Sequence, residues 1–523
     1  MRLSVPPPPP PPPGALAAKL GASRREVRGA FRGTREHADL GTHVVVIGGG
    51  LAGCAAACVL AERGVAVTLL ERERVLGGRV ASITEHLPDG YSVQVERSIP
   101  AFHRHYYNLR ALLARVDPEL SALRALADYP VLGPDGEQES FGGLPTTAPL
   151  NLLALLRRTP FLALADLRRI DGESFRSMIA FDPQRSYATH DGFTAKEYLD
   201  RLALPPRARQ LLFRVFGHAA FNLEESVSAA EMLAMLHYYF LTNPEGVSFD
   251  VIEEPTSDVL WKPLERYLTT LGATLRMGVS ATRVELERGD RVRVELSEGD
   301  ALSADGLVIA AHVPGVRALF AASPSLSGDA DLARAVASLA TSPTAITWRL
   351  YLDRAAHPER PAYGSVTGVG ALGSVTLLDR FEGESRRFAR RTGGSVAHLQ
   401  AFGGCCELDD AAVRAELRAS LDALYPELAG ARVVHESLVR HADCPAFTPG
   451  SHASRPRVAT PYGNVALAGD WVKLPFPSAM MERAVASGML AANQLLDRWD
   501  VRGETLWTVP PRGFLASLTG LMR

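Results

Sequence analysis

An α/β fold is predicted by three features of the chain. A strand runs into Gly48-x-Gly50-x-x-Gly53, a helix and a second strand complete a βαβ unit behind it, and a strand–helix pair near the far end supplies a matching half. Because the two halves are separated by most of the 523 residues, the Rossmann-like nucleotide-binding domain is expected to be discontinuous, with an α+β domain inserted between its pieces.

The elements follow in chain order. Pro6 to Pro13 is an unbroken proline run, expected as an extended polyproline rod, with no apolar core of signal-peptide length. Ala15 to Leu40 is small-residue and arginine-rich (Arg24, Arg25, Arg28, Arg32, Arg35) and reads as a flexible leader or a surface helix. "HVVVIGGG" then gives a buried strand at Val44 to Ile47, "LAGCAAACVLAERG" a small-residue helix ending at Gly64, and "VAVTLLE" a second strand. Gly48 permits the tight turn, Gly50 lets a pyrophosphate approach the backbone, and Gly53 lets the helix pack closely. The helix start, with Leu51 and Ala52, offers unpaired N–H groups and a positive dipole end to phosphate. Glu71 stands where a carboxylate accepts from ribose hydroxyls. Just past it, Gly77 and Gly78 allow close backbone approach, and Arg79 can pair with phosphate oxygens.

The middle is less distinctive. His103, His105, Tyr106 and Tyr107 form a dense cluster in which a histidine could carry a proton or simply stack. The stretch from Gly192 to Asn243 has helical period, and its Phe213, Phe216, Phe221, Met232, Met235, Tyr238, Tyr239 and Phe240 suit either a greasy tunnel or ordinary core. "LGATLRMGVSATRVELE" and "RVRVELSEGDALSADGLVIAA" read as strands. At the far end Val465 to Ala468 reads as a strand closed by Gly469 and Asp470. Pro475 and Pro477 break the chain, and a helix starts near Ser478, with Ala484, Ala486, Gly488, Ala491 and Ala492 small enough for tight packing. An acid at a strand end beside a helix start suits a ribityl hydroxyl and a flavin carbonyl, and the helix dipole favours negative charge there.

A formal net charge of −2 gives no basic field for nucleic acid. Five cysteines without paired CxxC blocks argue against a disulfide framework or a zinc site and for a reducing, cytoplasmic compartment; no metal is expected. No apolar run is long enough to span a bilayer. "PLNLLALLRRTPFLALADL" and "PRGFLASLTGLMR" read either as interfacial helices, which would make the protein peripheral on the inner face of the membrane, or as ordinary core and a docked tail.

The front block "VVVIGGGLAGCAAACVLAERGVAVTLLERERVLGGRV" and the rear block "ALAGDWVKLPFPSAMMERAVASGMLAAN" together resemble the FAD-dependent amine oxidase and carotenoid desaturase superfamily. "AGDWVKLPFPSAMMERA" and "FHRHYYNLRALL" look more closely like the carotenoid aromatic-ring synthases of the isorenieratene, or φ-ring, type. The resemblance runs from about His43 to Leu496 and implies bound FAD in an amine-oxidase-type (GR2) domain. It also implies contacts from Met480, Met481 and Ala484 on the rear helix, and a backbone contact to the adenine at Ala281. It implies a carotenoid substrate and aromatisation of a β-ring with a 1,2-methyl shift. The alternatives are a phytoene- or ζ-carotene-type desaturase or isomerase, an amine oxidase, or a redox-inert escort of prenyl lipids. The electron acceptor and the catalytic group stay unassigned, with His103 and His105 as candidates. Three departures stand out: Pro100 where relatives carry a Gly-x-His segment, Glu482-Arg483-Ala484 where many have Glu-Gly-Ala, and Arg72-Glu73 after the acid. The expected division is a leader at 1–40 and FAD-binding pieces at 41–110, 256–320 and 446–500. Substrate-domain pieces fall at 111–255, mostly helical, and 321–445, strands plus helix, with a tail at 501–523.

Overall fold

The computed structural model describes residues 25–26, 33–126, 128–140, 142–145, 150–159, 166–209, 222–241, 246, 248–513 and 516. The principal elements, in chain order, are β1 (His43–Ile47), α1 (Leu51–Glu62), β2 (Ala66–Glu71), β3 (Phe102–His103), α2 (Tyr107–Leu113), α3 (Ala229–Leu236) and β4 (Phe249–Ile252). They continue with β5 (Thr274–Met277), β6 (Ala281–Glu287), β7 (Gly306–Ile309), β8 (Ala345–Leu352), β9 (Ser395–Phe402), β10 (Val433–His441), β11 (Val465–Leu467) and α4 (Met480–Arg498).

A five-stranded sheet in the order β5-β2-β1-β7-β11 is parallel throughout. Its central strands are runs of Val, Leu and Ile because both faces are covered, which leaves no place for an alternating polar residue. α1 is buried along nearly its whole length, and most of its buried side chains are Ala, Gly or Cys, with Leu51, Val59 and Leu60 the larger ones. It ends at Gly64, whose φ of 78° is the left-handed conformation that glycine adopts without strain. A second, seven-stranded sheet, which starts from β10 at one edge and continues with β8 and β9, carries its own apolar core. Its far edge is formed by Val131–Leu132 and Gln138–Glu139, so the stretch 111–255 contributes strands as well as helices.

Two sets of contacts seat α4. A Cβ built on Gly488 would lie 2.0 Å from the carbonyl oxygen of Ala52, so the backbones of α1 and α4 touch. At its other face Glu482 is buried and accepts from the Asn108 N–H (2.9 Å), the Asn108 side-chain amide (2.5 Å) and the Leu109 N–H (2.8 Å), at the first turn of α2. Burial outweighs these bonds and pushes the Glu482 carboxyl up to about 7. Arg483 beside it reaches α3 and pairs with Glu231 at 2.5 Å, while Tyr187 donates to the same carboxylate at 2.6 Å and Arg455 stands at 3.4 Å. Glu231 is 1% exposed, and Phe447 packs between the two guanidiniums.

The ends of the chain differ from expectation. Arg25–Glu26 pairs antiparallel with Trp507–Thr508, and the N–H groups of Thr34 and Arg35 donate to the carbonyl of Asp500. The described leader residues are therefore docked, not free. Val501, Leu506 and Val509 of the tail are buried in the main core, because an apolar tail gains more by covering α4 than by facing water. The proline run, the residues 517–523 and the side chains Phe213, Phe216 and Phe221 lie outside the described residues. Of the first interfacial candidate, Leu150–Arg158 is helical with Leu150 54% exposed, and 160–165 is outside. No described helix is long and apolar enough to cross a membrane.

Two substitutions test the seating of α4. Gly488→Ala pushes a methyl group into the α1 backbone and should lower stability by about 2–3 kcal/mol, read as a drop in the thermal midpoint. Glu231→Gln leaves two buried guanidiniums without a carboxylate and should cost about 3–5 kcal/mol in denaturant melts at neutral pH. Burial raises the Glu231 carboxyl, but Arg483 and Arg455 outweigh it and hold it well below its ordinary 4.5. Its contribution is thus complete above about pH 4.5 and is lost as the pH falls further, so the Gln variant should show a shallower loss of stability on the acid side.

Candidate functional site

A cavity of about 750 Å³ opens at the carboxyl ends of the parallel strands and runs on toward α3 and β4. This is the position at which open α/β sheets hold ligands. The turn after β1 forms one end. Gly48 has φ 107°, and a Cβ there would lie 2.7 Å from the Ala310 oxygen. Gly50 has open space on its cavity side, where the nearest atom to an added Cβ is the Gly78 Cα at 4.0 Å. Leu51 and Ala52 line the cavity at the first turn of α1, whose cap residue Gly50 supplies no side-chain partner to the exposed N–H groups. Gly53 does not line the cavity. It sits beneath the turn, where a Cβ would be 1.8 Å from the Gly48 oxygen.

Glu71 is fixed from both sides. Its Oε2 accepts from the Gly49 N–H at 2.7 Å, and its Oε1 from the Glu73 N–H at 2.8 Å. Gly77 and Gly78, at φ 120° and 55°, bring the chain back beside Gly50, and the Gly77 N–H donates to the Gly49 oxygen at 2.8 Å. Arg79 then reaches across to the rear half and pairs with Asp470 at 2.6 Å. The structure thus gives both residues a protein partner, where the sequence suggested separate ligand contacts. Gly469 has φ 143°, and its N–H donates to Ser487 of α4 at 2.8 Å. Gly469, Asp470, Met480, Met481, Ala484 and, on β6, Ala281 all line the cavity. α4 begins at Met480, later than the expected Ser478, and Met480 itself takes φ 52°, a strained conformation for a side chain of its size.

The other end of the cavity is apolar, with Leu199, Met232, Met235, Leu236, Phe240 and Phe249 in its wall. His103 and Tyr106 reach it; His105 does not. The chain turns after β3 and carries His105 into the core, 0% exposed, with its ring 4.4 Å from Tyr238. The Tyr106 and Tyr239 hydroxyls meet at 2.5 Å. Arg97, His312, His441, Asp443 and Cys444 also line the cavity, and no spacing or motif marked them in the sequence. Among the described residues no group of three potential ligands could hold a metal.

The donor set fits a dinucleotide with an aromatic ring system: a glycine turn at an open helix start, an anchored carboxylate beyond it, and a second helix start facing the same cavity. The sequence pattern described as flavin containing amine oxidoreductase matches residues 51–496. The chain is 43% identical to a carotenoid phi-ring synthase of Streptomyces griseus over 91% of its own length and 92% of that protein's. It is 26% identical to a carotenoid phi-ring synthase of Chlorobaculum tepidum over 90% and 91%. Among solved structures it is similar to cyclohexylamine oxidase from Brevibacterium oxydans, with a TM-score of 0.63 and 14% identity over 88% of this chain and 98% of that one. Reduced UDP-galactopyranose mutase aligns with a TM-score of 0.60 and 12% identity, over 88% and 94%. The chain belongs to the flavin containing amine oxidoreductase family, in the branch that holds the carotenoid phi-ring synthases.

Proposed function

We propose that the protein is an FAD-dependent oxidoreductase that converts a carotenoid β-ring to a trimethylphenyl ring. The observation that carries this reading is the union, in one cavity, of a nucleotide end and an apolar end in a chain 43% identical to a phi-ring synthase along nearly its whole length. Gly48, Gly50 and the start of α1 receive the diphosphate, Glu71 the ribose, and the β6 backbone at Ala281 the adenine. Asp470, Arg79 and the start of α4 face the ring system. FAD bound there supplies the hydride-accepting chemistry that desaturation needs.

The chain's own residues do the rest. The apolar wall binds a hydrocarbon ring and excludes water, so a ring cation left by hydride removal rearranges by methyl migration and is not trapped as an alcohol. The seating of α4 by Glu482 and Arg483 keeps the ring-facing helix start and the α3 wall at a fixed separation. The amine oxidases among the solved structures share the fold at 14–16% identity, which bears on the fold alone.

Expression in a β-carotene-producing host should yield pigment lighter by four hydrogens per reacted ring, read by mass spectrometry with the aromatic end group confirmed by NMR. Unchanged β-carotene beside folded, yellow protein would sink this reading. Glu71→Ala removes the acceptor of two N–H groups and of the ribose hydroxyls. Flavin affinity should weaken about 10- to 100-fold, read as loss of visible absorbance on dilution.

A further inference from the structure

The aromatisation needs a proton acceptor, and resting on that reading we propose that His103 takes the proton lost from the ring, through Nε2. Several observations place it there. His103 lines the apolar end of the cavity, away from the nucleotide turn. Its ring is surrounded by those of Tyr239 (4.8 Å), Tyr106 (5.2 Å) and Phe249 (5.4 Å), all of which line the same cavity. Aromatic faces attract a delocalised cation, so the surface that holds the acceptor also suits the species that must lose the proton.

The backbone fixes the ring. β3 pairs with β4 in a register that sets His103 opposite Phe249, Arg110 donates to the His103 oxygen at 3.2 Å, and the Arg110–Asp250 ion pair clamps that guanidinium. Nδ1 lies 3.3 Å from the Gly246 oxygen. A carbonyl only accepts, so Nδ1 carries the hydrogen, and the neutral ring keeps its lone pair on Nε2. Burial holds the imidazole down to about 4, so the ring is neutral at physiological pH and an imidazolium formed there sheds its proton readily.

Most other basic groups of the cavity are engaged. Glu71 accepts from two N–H groups, Asp470 is paired with Arg79 and Glu224 with Arg209, while Asp443 pairs with Arg97 through one oxygen only. The exposed Glu73 faces Arg72. His441 meets the Thr347 hydroxyl at 2.9 Å, and burial together with the charges of Arg72, Arg79 and Arg97 disfavours an imidazolium at His312, which lies away from the aromatic cluster around His103.

The step balances. Four hydrogens lost per ring are two hydrides and two protons; bound FAD would accept a hydride in each of two oxidations, and a proton leaves after each. A ring C–H bond then breaks, its electron pair becomes a ring C=C bond, and the proton forms an N–H bond at Nε2.

The test compares His103→Gln and His103→Ala with the parent in anaerobic single turnovers on β-carotene. Flavin bleaching and neutral product lighter by two hydrogens, one hydride and one proton, are measured per bound flavin. Bleaching should persist within a few fold, while that product falls about 100-fold or more. Added imidazole should restore product to the Ala variant. A yield of the two-hydrogen-lighter product per bleached flavin equal to the parent's in either variant, or no response to imidazole, overturns the assignment. Loss of flavin from both variants overturns it too, since His103 would then hold the site together. A parent that fails to bleach would overturn the proposed function itself, a result separable from any of these.

Discussion

The contact between the backbones of α1 and α4, made at Ala52 and Gly488, is the constraint on which the site depends. α1 begins at the glycine turn after β1, and α4 begins beside Asp470. Because the two helices touch without intervening side chains, their first turns open on the same cavity at a fixed spacing. Any bulk at the contact moves one half of the site relative to the other. Small residues along α1 and α4 are therefore a geometric requirement, and their contribution lies in close approach more than in buried area.

Around that contact the charged groups are arranged so that each joins elements that the chain order keeps apart. Arg79 pairs with Asp470, Glu482 caps α2, and Arg483 reaches Glu231 on α3. Glu482, Arg483 and Glu231 are buried, where an unpaired charge costs several kcal/mol, whereas Arg79 keeps 31% of its side chain exposed and its pair is the more easily opened. The α3 helix that receives Arg483 also presents Met232 and Met235 to the cavity, and so a buried ion pair ties the rear helix to the apolar end.

Much of this was legible in the sequence where the signal is local. The glycine turn, Glu71, Gly469 and Asp470 stand in short patterns whose geometry follows from φ requirements and helix ends, and the structure brings all of them to one cavity or directly under it. What could not be read was pairing at a distance. Arg79 looked like a phosphate ligand because its neighbours suggested one, and only the folded chain shows Asp470 within reach. Arg483 registered as a departure from related sequences without revealing its partner Glu231. The two-residue strands Val131–Leu132 and Phe102–His103 are too short to show a period, and the separation of His103 from His105 depends on a turn that no residue type announces.

The parallel sheet also has a consequence for biosynthesis. β7 pairs on one side with β1, but its other neighbour, β11, is encoded only after the whole seven-stranded sheet has been made. At about 5–20 residues per second the ribosome needs on the order of ten seconds or more to make the intervening stretch. During that interval the nascent chain exposes an unpaired, strongly apolar edge, the kind of surface on which chaperones act. The cavity that both helices line is complete only once translation has delivered α4, so the yield of folded protein depends on how well that edge is shielded until then.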